Sequence, residues 1–162
     1  MATYQLAEIN VARMKGYDIN DPVMKEFVDN LGRVNKLAES SQGFVWRLKD
    51  ESNNATSLNP YDDEQVIINI SVWENIDSLE RFTYQTFHTE FLRRRKEWFQ
   101  KFGKAYLAMW WIPTGQFPTV EEAVARLDYL EANGPTERAF SFRKKYDSPS
   151  AADLTKERSI AR

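Results

Sequence analysis

The chain carries one histidine, His88, and no cysteine, so proton transfer near neutral pH and soft-metal chemistry fall to very few side chains. A histidine can move a proton or ligate haem iron, and at helical spacing His88 shares a face with Tyr84, Phe91 and Arg95. An aromatic-flanked helix histidine can serve as an axial haem ligand. The commoner use of such a residue is structural, donating to a carbonyl or packing beneath a sheet. A second group of polar residues sits on alternating stretches: Asn10 and Glu8 on one, Asn69, Ser71 and Trp73 on another, and Trp46 or Arg47 on a third. Glu8 becomes a general base if burial among rings raises its pKa, although an ion pair with Arg47 accounts for it equally well. Asn69 and Ser71 either bind a substrate or simply hydrogen-bond inside a wet cavity.

The elements that must position these groups follow from periodicity. Tyr4 to Arg13 alternates as a strand, with Gln5, Ala7, Ile9 and Val11 on one side and Leu6, Glu8, Asn10 and Ala12 on the other. Val66 to Trp73 alternates more sharply. Its Val66, Ile68, Ile70, Val72 row is wholly β-branched, and its Ile67, Asn69, Ser71, Trp73 row mixes polar and aromatic groups. The first row should pack on helices, and the second should meet a cavity or a second subunit.

Between these strands, Asp21 as N-cap with Pro22 at the first helical position opens a helix with the stripe Val23, Phe27, Leu31, Val34 and Leu37, ending near Ser40. Phe44 to Lys49 reads as the second strand and Asp50 to Asp63 as a connecting loop. Asp77, with Glu80 at the capping-box position, predicts the start of the next helix, which runs to Trp98 with a break near Thr86. Ala105 to Ile112 is a fourth strand, in which Trp110 and Trp111 face opposite sides. Thr119 caps a third helix with the stripe Val120, Ala123, Val124, Leu127 and Leu130; Phe140 to Phe142 reads as a short added strand. Residues 1–145 form the folded domain and 146–162 a polar C-terminal tail.

Composition narrows the classes of function. A formal charge of −2 supplies no field for nucleic acid or an anionic membrane, and the run Arg93 to Lys96 reads as a solvated helix face. Without cysteine there are no disulfides, thiol nucleophiles or Cys-ligated metals. No apolar stretch reaches membrane-spanning length and the N-terminus has no signal-peptide pattern, so a cytoplasmic address is the expectation. No phosphate loop, metal-ligand cluster, Ser–His–Asp order or dinucleotide fingerprint is present.

Strand, helix, strand, strand, helix, strand is the split βαβ order of an α+β ferredoxin-like fold, an antiparallel sheet with helices on one face. A sheet face left uncovered and bearing rings is most simply buried by a second copy, which predicts a homodimer.

The blocks LAEINVAR, GFVWRLKDE, VIINISVWENIDSLERFTY, FHTEFLRRRKEWF, AYLAMWWIPTGQFPTVEEAVARLDYLEANGPT and AFSFRK, in that order as far as about Lys145, resemble the family named domain of unknown function 3291. That family is placed among the dimeric α/β barrel proteins, beside antibiotic-biosynthesis monooxygenases, haem-degrading monooxygenases, chlorite dismutases and stress-responsive barrel proteins. The resemblance implies the ferredoxin-like fold and a dimer, and little about chemistry. Cofactor-independent oxygenases of this superfamily hold a substrate enolate and oxygen with an Asn, a Trp and an aromatic or histidine group. Asn10 is similar in kind to the asparagine of the haem-degrading members, whereas the spacing of tryptophan and histidine does not match.

Three readings result. In the first, a homodimer binds a small apolar or aromatic molecule between helices and sheet, as a monooxygenase-like enzyme without a cofactor. Asn10 donates to a substrate oxygen, His88 moves a proton, Tyr84 and Trp73 form walls, and Glu8, Trp46, Asn69, Ser71 and Phe91 complete the lining. In the second, the protein binds haem through His88. In the third it is a non-catalytic ligand-sensing or dimerisation module whose cavity is filled by its own rings.

Overall fold

The alternating stretch at the start of the chain becomes β1 (Tyr4–Met14), the strand about which the rest of the sheet is built. The computed structural model describes residues 3–49, 60–85 and 88–149, apart from the side chains at positions 85, 88, 89 and 91. β1 is followed by α1 (Lys25–Ser40), β2 (Phe44–Arg47), β3 (Val66–Trp73), α2 (Ile76–Gln85), α3 (His88–Trp98), β4 (Phe99–Gln100), β5 (Leu107–Pro113) and α4 (Val120–Asn133). The strands run β2-β3-β1, with β5 and the two-residue β4 sharing the other edge of β1, and every pairing is antiparallel. This is the ferredoxin-like order, the protomer topology of a dimeric α/β barrel. β4 has no alternation of its own, since it pairs only Phe99 and Gln100 with Met14 and Arg13.

Local chemistry sets most element ends. Asp21 accepts from the Val23 amide at 3.1 Å, and Pro22 opens a single 3-10 turn that feeds α1. α4 begins where Thr119 Oγ1 accepts from the Glu122 amide at 3.1 Å, and ends at Gly134, whose positive φ of 73° suits a residue without a Cβ. α2 departs from expectation. Its cap is Asn75, whose Oδ1 accepts from both the amide and the hydroxyl of Ser78 at 2.8 Å, so Asp77 lies inside the first turn. Gly43, at φ 86°, lets the chain enter β2 pressed against that turn: a Cβ there would stand 2.1 Å from Ser78 Oγ. The break expected near Thr86 falls between α2 and α3, and residues 86 and 87 lie outside the described residues. So do residues 50–59 of the predicted loop and the predicted tail from residue 150 onward. Tyr146 lies nearer, and its carbonyl accepts from Trp111 Nε1 at 2.8 Å.

Cross-strand register sorts the side chains onto two faces. On one, Ala7, Ile9 and Val11 of β1, the Val66, Ile68, Ile70, Val72 row of β3, and Ala108, Trp110 and Ile112 of β5 form one core with Ala123, Leu127 and Leu130 of α4. On the other, α1, α2 and α3 cover Leu6, Glu8, Asn10, Asn69, Ser71 and Trp73. Helices therefore lie on both faces. The sequence pattern expects helices on the aliphatic face alone and a cavity or a second copy at the Asn69, Ser71, Trp73 row; α4 does pack on the aliphatic row, over β1 and β5, and α1–α3 enclose a cavity over the other. β5 is an edge strand, so the chain leaving it can turn onto the aliphatic row and bury it. Phe140 adds a single bridge to Met109 through amide–carbonyl bonds of 2.8 and 2.9 Å, in place of the short strand expected over Phe140 to Phe142. Among the described residues no helix is long and apolar enough to cross a membrane.

Candidate functional site

Glu8 is the centre of the site because of where the register puts it. Glu8 of β1 stands opposite Ser71 of β3, which stands opposite Arg47 of β2, and Asn10 stands opposite Asn69. Residues two apart on a strand share a face, so Glu8, Asn10, Asn69, Ser71 and Trp73 all point to the α1–α3 side. There Asn10 Nδ2 donates to Glu8 Oε1 at 2.9 Å and to Oε2 at 3.2 Å. Ser71 Oγ donates to Oε1 at 3.1 Å and itself accepts from Trp73 Nε1 at 2.9 Å. The Trp73 ring is held edge-on by Phe44 at 5.4 Å and stacked by Phe82 at 5.2 Å, which fixes the indole N–H that orients Ser71.

Burial decides the charge of this carboxyl. Glu8 is only 3% exposed. Loss of hydration disfavours the carboxylate and outweighs the bonds from Asn10 and Ser71, which favour it, so the pKa is pushed up to about 7. A carboxyl that titrates near neutrality can both give and take a proton there. Oε1 accepts from Ser71 and makes the shorter Asn10 bond, so Oε2 is the oxygen better placed to hold the proton.

Glu8 borders a cavity of about 250 Å³ between the sheet and α1–α3. The apolar packing on this side is divided: one cluster gathers around Trp73 with Leu6, Leu79, Phe82 and Met109, and another around Trp98 with Met14 and Met24. Phe27, Leu31 and Val34 of α1 form part of the roof and are only half-buried. The middle of the floor is polar, with Asn10 half-buried and Asn69 exposed, and polar floor groups give a helix nothing apolar to close down on.

The expected site residues divide accordingly. Glu8, Asn10, Asn69, Ser71 and Trp73 come together on the cavity wall. Asn10 spends its amide on Glu8, where a bond to substrate oxygen was the expectation. Trp46 does not join them. A bulge between Phe44 and Trp46 shifts the register, so Arg47 lines the cavity while Trp46 packs against the α4 core and stacks on Phe117 at 5.1 Å. Arg47 pairs with Glu39 at 2.8 Å, so the expected Arg47–Glu8 ion pair gives way to that partner. Tyr84 is 51% exposed, set edge-on to Phe142 at 5.5 Å and away from the lining. Tyr84 and His88 lie on different helices, since α2 ends at Gln85 and α3 begins at His88. The side chains of His88 and Phe91 lie outside the described residues, and the haem reading goes with His88. Among the described residues no group of three or more His, Cys, Asp or Glu could hold a metal ion.

Sequence reasoning missed Arg95. In the run expected to be a solvated face, Arg94 is paired with Glu26 and Glu97, while Arg95 is half-buried, lines the cavity and lies 5.1 Å from the Tyr106 ring centroid. Tyr106 follows Phe102 and Ala105 at the approach to β5, and nothing in its own spacing points to the cavity.

No curated protein matches this sequence. Among solved structures, the chain is similar to a protein of unknown function from Nitrosomonas europaea, NE2512, at 9% identity over 72% of this chain and 97% of that one, with a TM-score of 0.46. It is also similar to SnoaB, a cofactor-independent oxygenase from Streptomyces nogalater, at 16% identity over 73% and 98%, TM-score 0.44. PA3566 from Pseudomonas aeruginosa follows at 13% identity over 72% and 97%, TM-score 0.43. The family model described as Domain of unknown function (DUF3291) matches residues 5–156, nearly the whole folded part, and the chain belongs to that family.

Proposed function

We propose that this protein binds a small apolar or aromatic molecule between the sheet and α1–α3 and exchanges a proton with it through Glu8. One observation carries the reading: a carboxyl 3% exposed, with a pKa pushed to about 7, forms part of the wall of an open cavity. The Glu8 carboxylate takes a proton from an acidic C–H or O–H of the bound molecule, the bonding pair stays on the ligand as an enolate or alkoxide-like anion, and the carboxyl returns the proton. Asn10 and Ser71 position the carboxyl, and the Trp73–Ser71 bond fixes the hydroxyl that does so. The non-catalytic reading expects a cavity filled by the chain's own rings, and the open space between the two apolar clusters favours a bound molecule instead.

The test is deuterium exchange into the α-positions of 2-tetralone, a bicyclic ketone with acidic C–H bonds, incubated with the protein in D2O. Wild type should exceed Glu8→Gln by about 10²-fold or more. Equal rates in the two proteins would remove Glu8 from the chemistry. Oxygen uptake in the same mixture separates the monooxygenase-like form of the reading from simple enolisation, because only the former consumes dioxygen.

A further inference from the structure

The cationic groups near the cavity are not alike. Arg13 is paired with Asp63 at 2.6 Å, Arg47 with Glu39 at 2.8 Å, and Arg94 with both Glu26 and Glu97. Arg95 is the exception. It is half-buried on the cavity wall, its contact is the face of Tyr106, and among the described residues no carboxylate lies within ion-pair distance of it. A guanidinium backed by a ring keeps its N–H edge free and pre-oriented, and that edge matches the two oxygens of a carboxylate. A half-buried, unneutralised cation costs free energy unless an anion arrives to meet it.

Its place along the sheet is also informative. On β1, Glu8, Asn10 and Ala12 follow one another on the cavity face, and the Val11 amide donates to the Tyr106 carbonyl at 2.9 Å. Tyr106, and with it Arg95, therefore stands beyond Asn10 from Glu8, at the end of the cavity near Trp98. The cavity as a whole is about 250 Å³, whereas about 150 Å³ suffices for benzene. An occupant of two fused rings fits this span.

We propose that Arg95 is the specificity-determining anchor for an organic anion, and that the natural ligand is a carboxylate on a one- or two-ring apolar body. This rests on the cavity being a ligand site, as proposed above. The carboxylate pairs with Arg95, the rings lie between Trp98 and Trp73, and the far end of the ligand reaches Glu8. A charge at one end and an acid–base group at the other fix which end of the molecule is presented for proton exchange.

Two probes of one shape separate this proposal from its foundation: 2-naphthoate and the neutral 2-naphthamide, titrated by quenching of tryptophan fluorescence. Wild type should bind the naphthoate about tenfold or more tightly than the amide, as a charge-assisted pair requires. Arg95→Gln should lose that preference and keep its affinity for the amide, which also certifies its fold, and Arg93→Gln, at an exposed position of the same helix, should change neither. Equal binding of the two probes by wild type, or a preference that survives in Arg95→Gln, overturns the anchor and leaves the cavity reading standing. Binding of neither probe by wild type overturns both.

Discussion

The two faces of the sheet are made from the same strands, yet only one of them is filled. On the α4 face, Val66, Ile68, Ile70 and Val72 are each at most 4% exposed, and aliphatic groups of similar size meet them from β1, β5 and α4. On the α1–α3 face the apolar residues form two clusters, and the polar Asn10, Asn69 and Arg95 line the cavity there. A close-packed interior tolerates few voids, so the α4 face stores stability. The other face gives up part of that stability for a space in which a carboxyl can be dehydrated without being sealed off. The proposed function uses the face whose floor is too polar to be closed.

The widest gap between the faces should appear on truncation. Ile70→Ala removes a wholly buried side chain from the filled face and should cost about 2–5 kcal/mol in denaturant unfolding. Leu31→Ala, on the half-buried cavity roof, should cost about 1 kcal/mol. Similar losses at the two positions would erase the distinction between a filled face and an open one.

The next largest effect is on pH dependence. Glu8 holds its proton up to about 7 in the folded chain against 4.5 as its ordinary value, so between these values the folded state carries more proton than the unfolded state. Its contribution is therefore whole below about 4.5 and is lost as pH rises through about 7. Wild-type stability minus that of Glu8→Gln, which cannot titrate, should fall by on the order of 3 kcal/mol across this window. Urea unfolding at a series of pH values measures it, and a difference that does not vary with pH would place Glu8 in water.

The smallest effect is expected at Tyr84. Because it stands outside the cavity, Tyr84→Phe should leave the exchange of 2-tetralone protons unchanged and stability within about 0.5 kcal/mol. A marked drop in exchange would bring Tyr84 into the site and redraw the boundary between wall and surface.

Much of this is legible in the chain because it is local. Alternation in β1 and β3 names both rows correctly, and Asp21 and Thr119 cap where their side chains predict. What was misread depended on a one-residue event. The bulge in β2 exchanges Trp46 for Arg47, the interruption between α2 and α3 puts Tyr84 and His88 on separate helices, and Asn75 captures the Ser78 amide before Asp77 can act as a cap. Each shifts a face by one step, and a period of 2 or 3.6 has no memory across such a step.

Residue types and their order are enough to establish an antiparallel ferredoxin-like sheet, the identity of its two rows and the presence of Glu8 among the polar groups of one of them. They do not contain the burial of Glu8, because dehydration depends on what α1 and α2 lay over it. Nor do they place α4, since an amphipathic helix after an edge strand can turn to either face. The meeting of Arg95 with Tyr106 brings together two segments that neither pattern connects. Short-range sterics and hydrogen bonding write the strands and caps into the sequence, whereas a cavity is the space left between elements, and its shape and pKa exist only once those elements have packed.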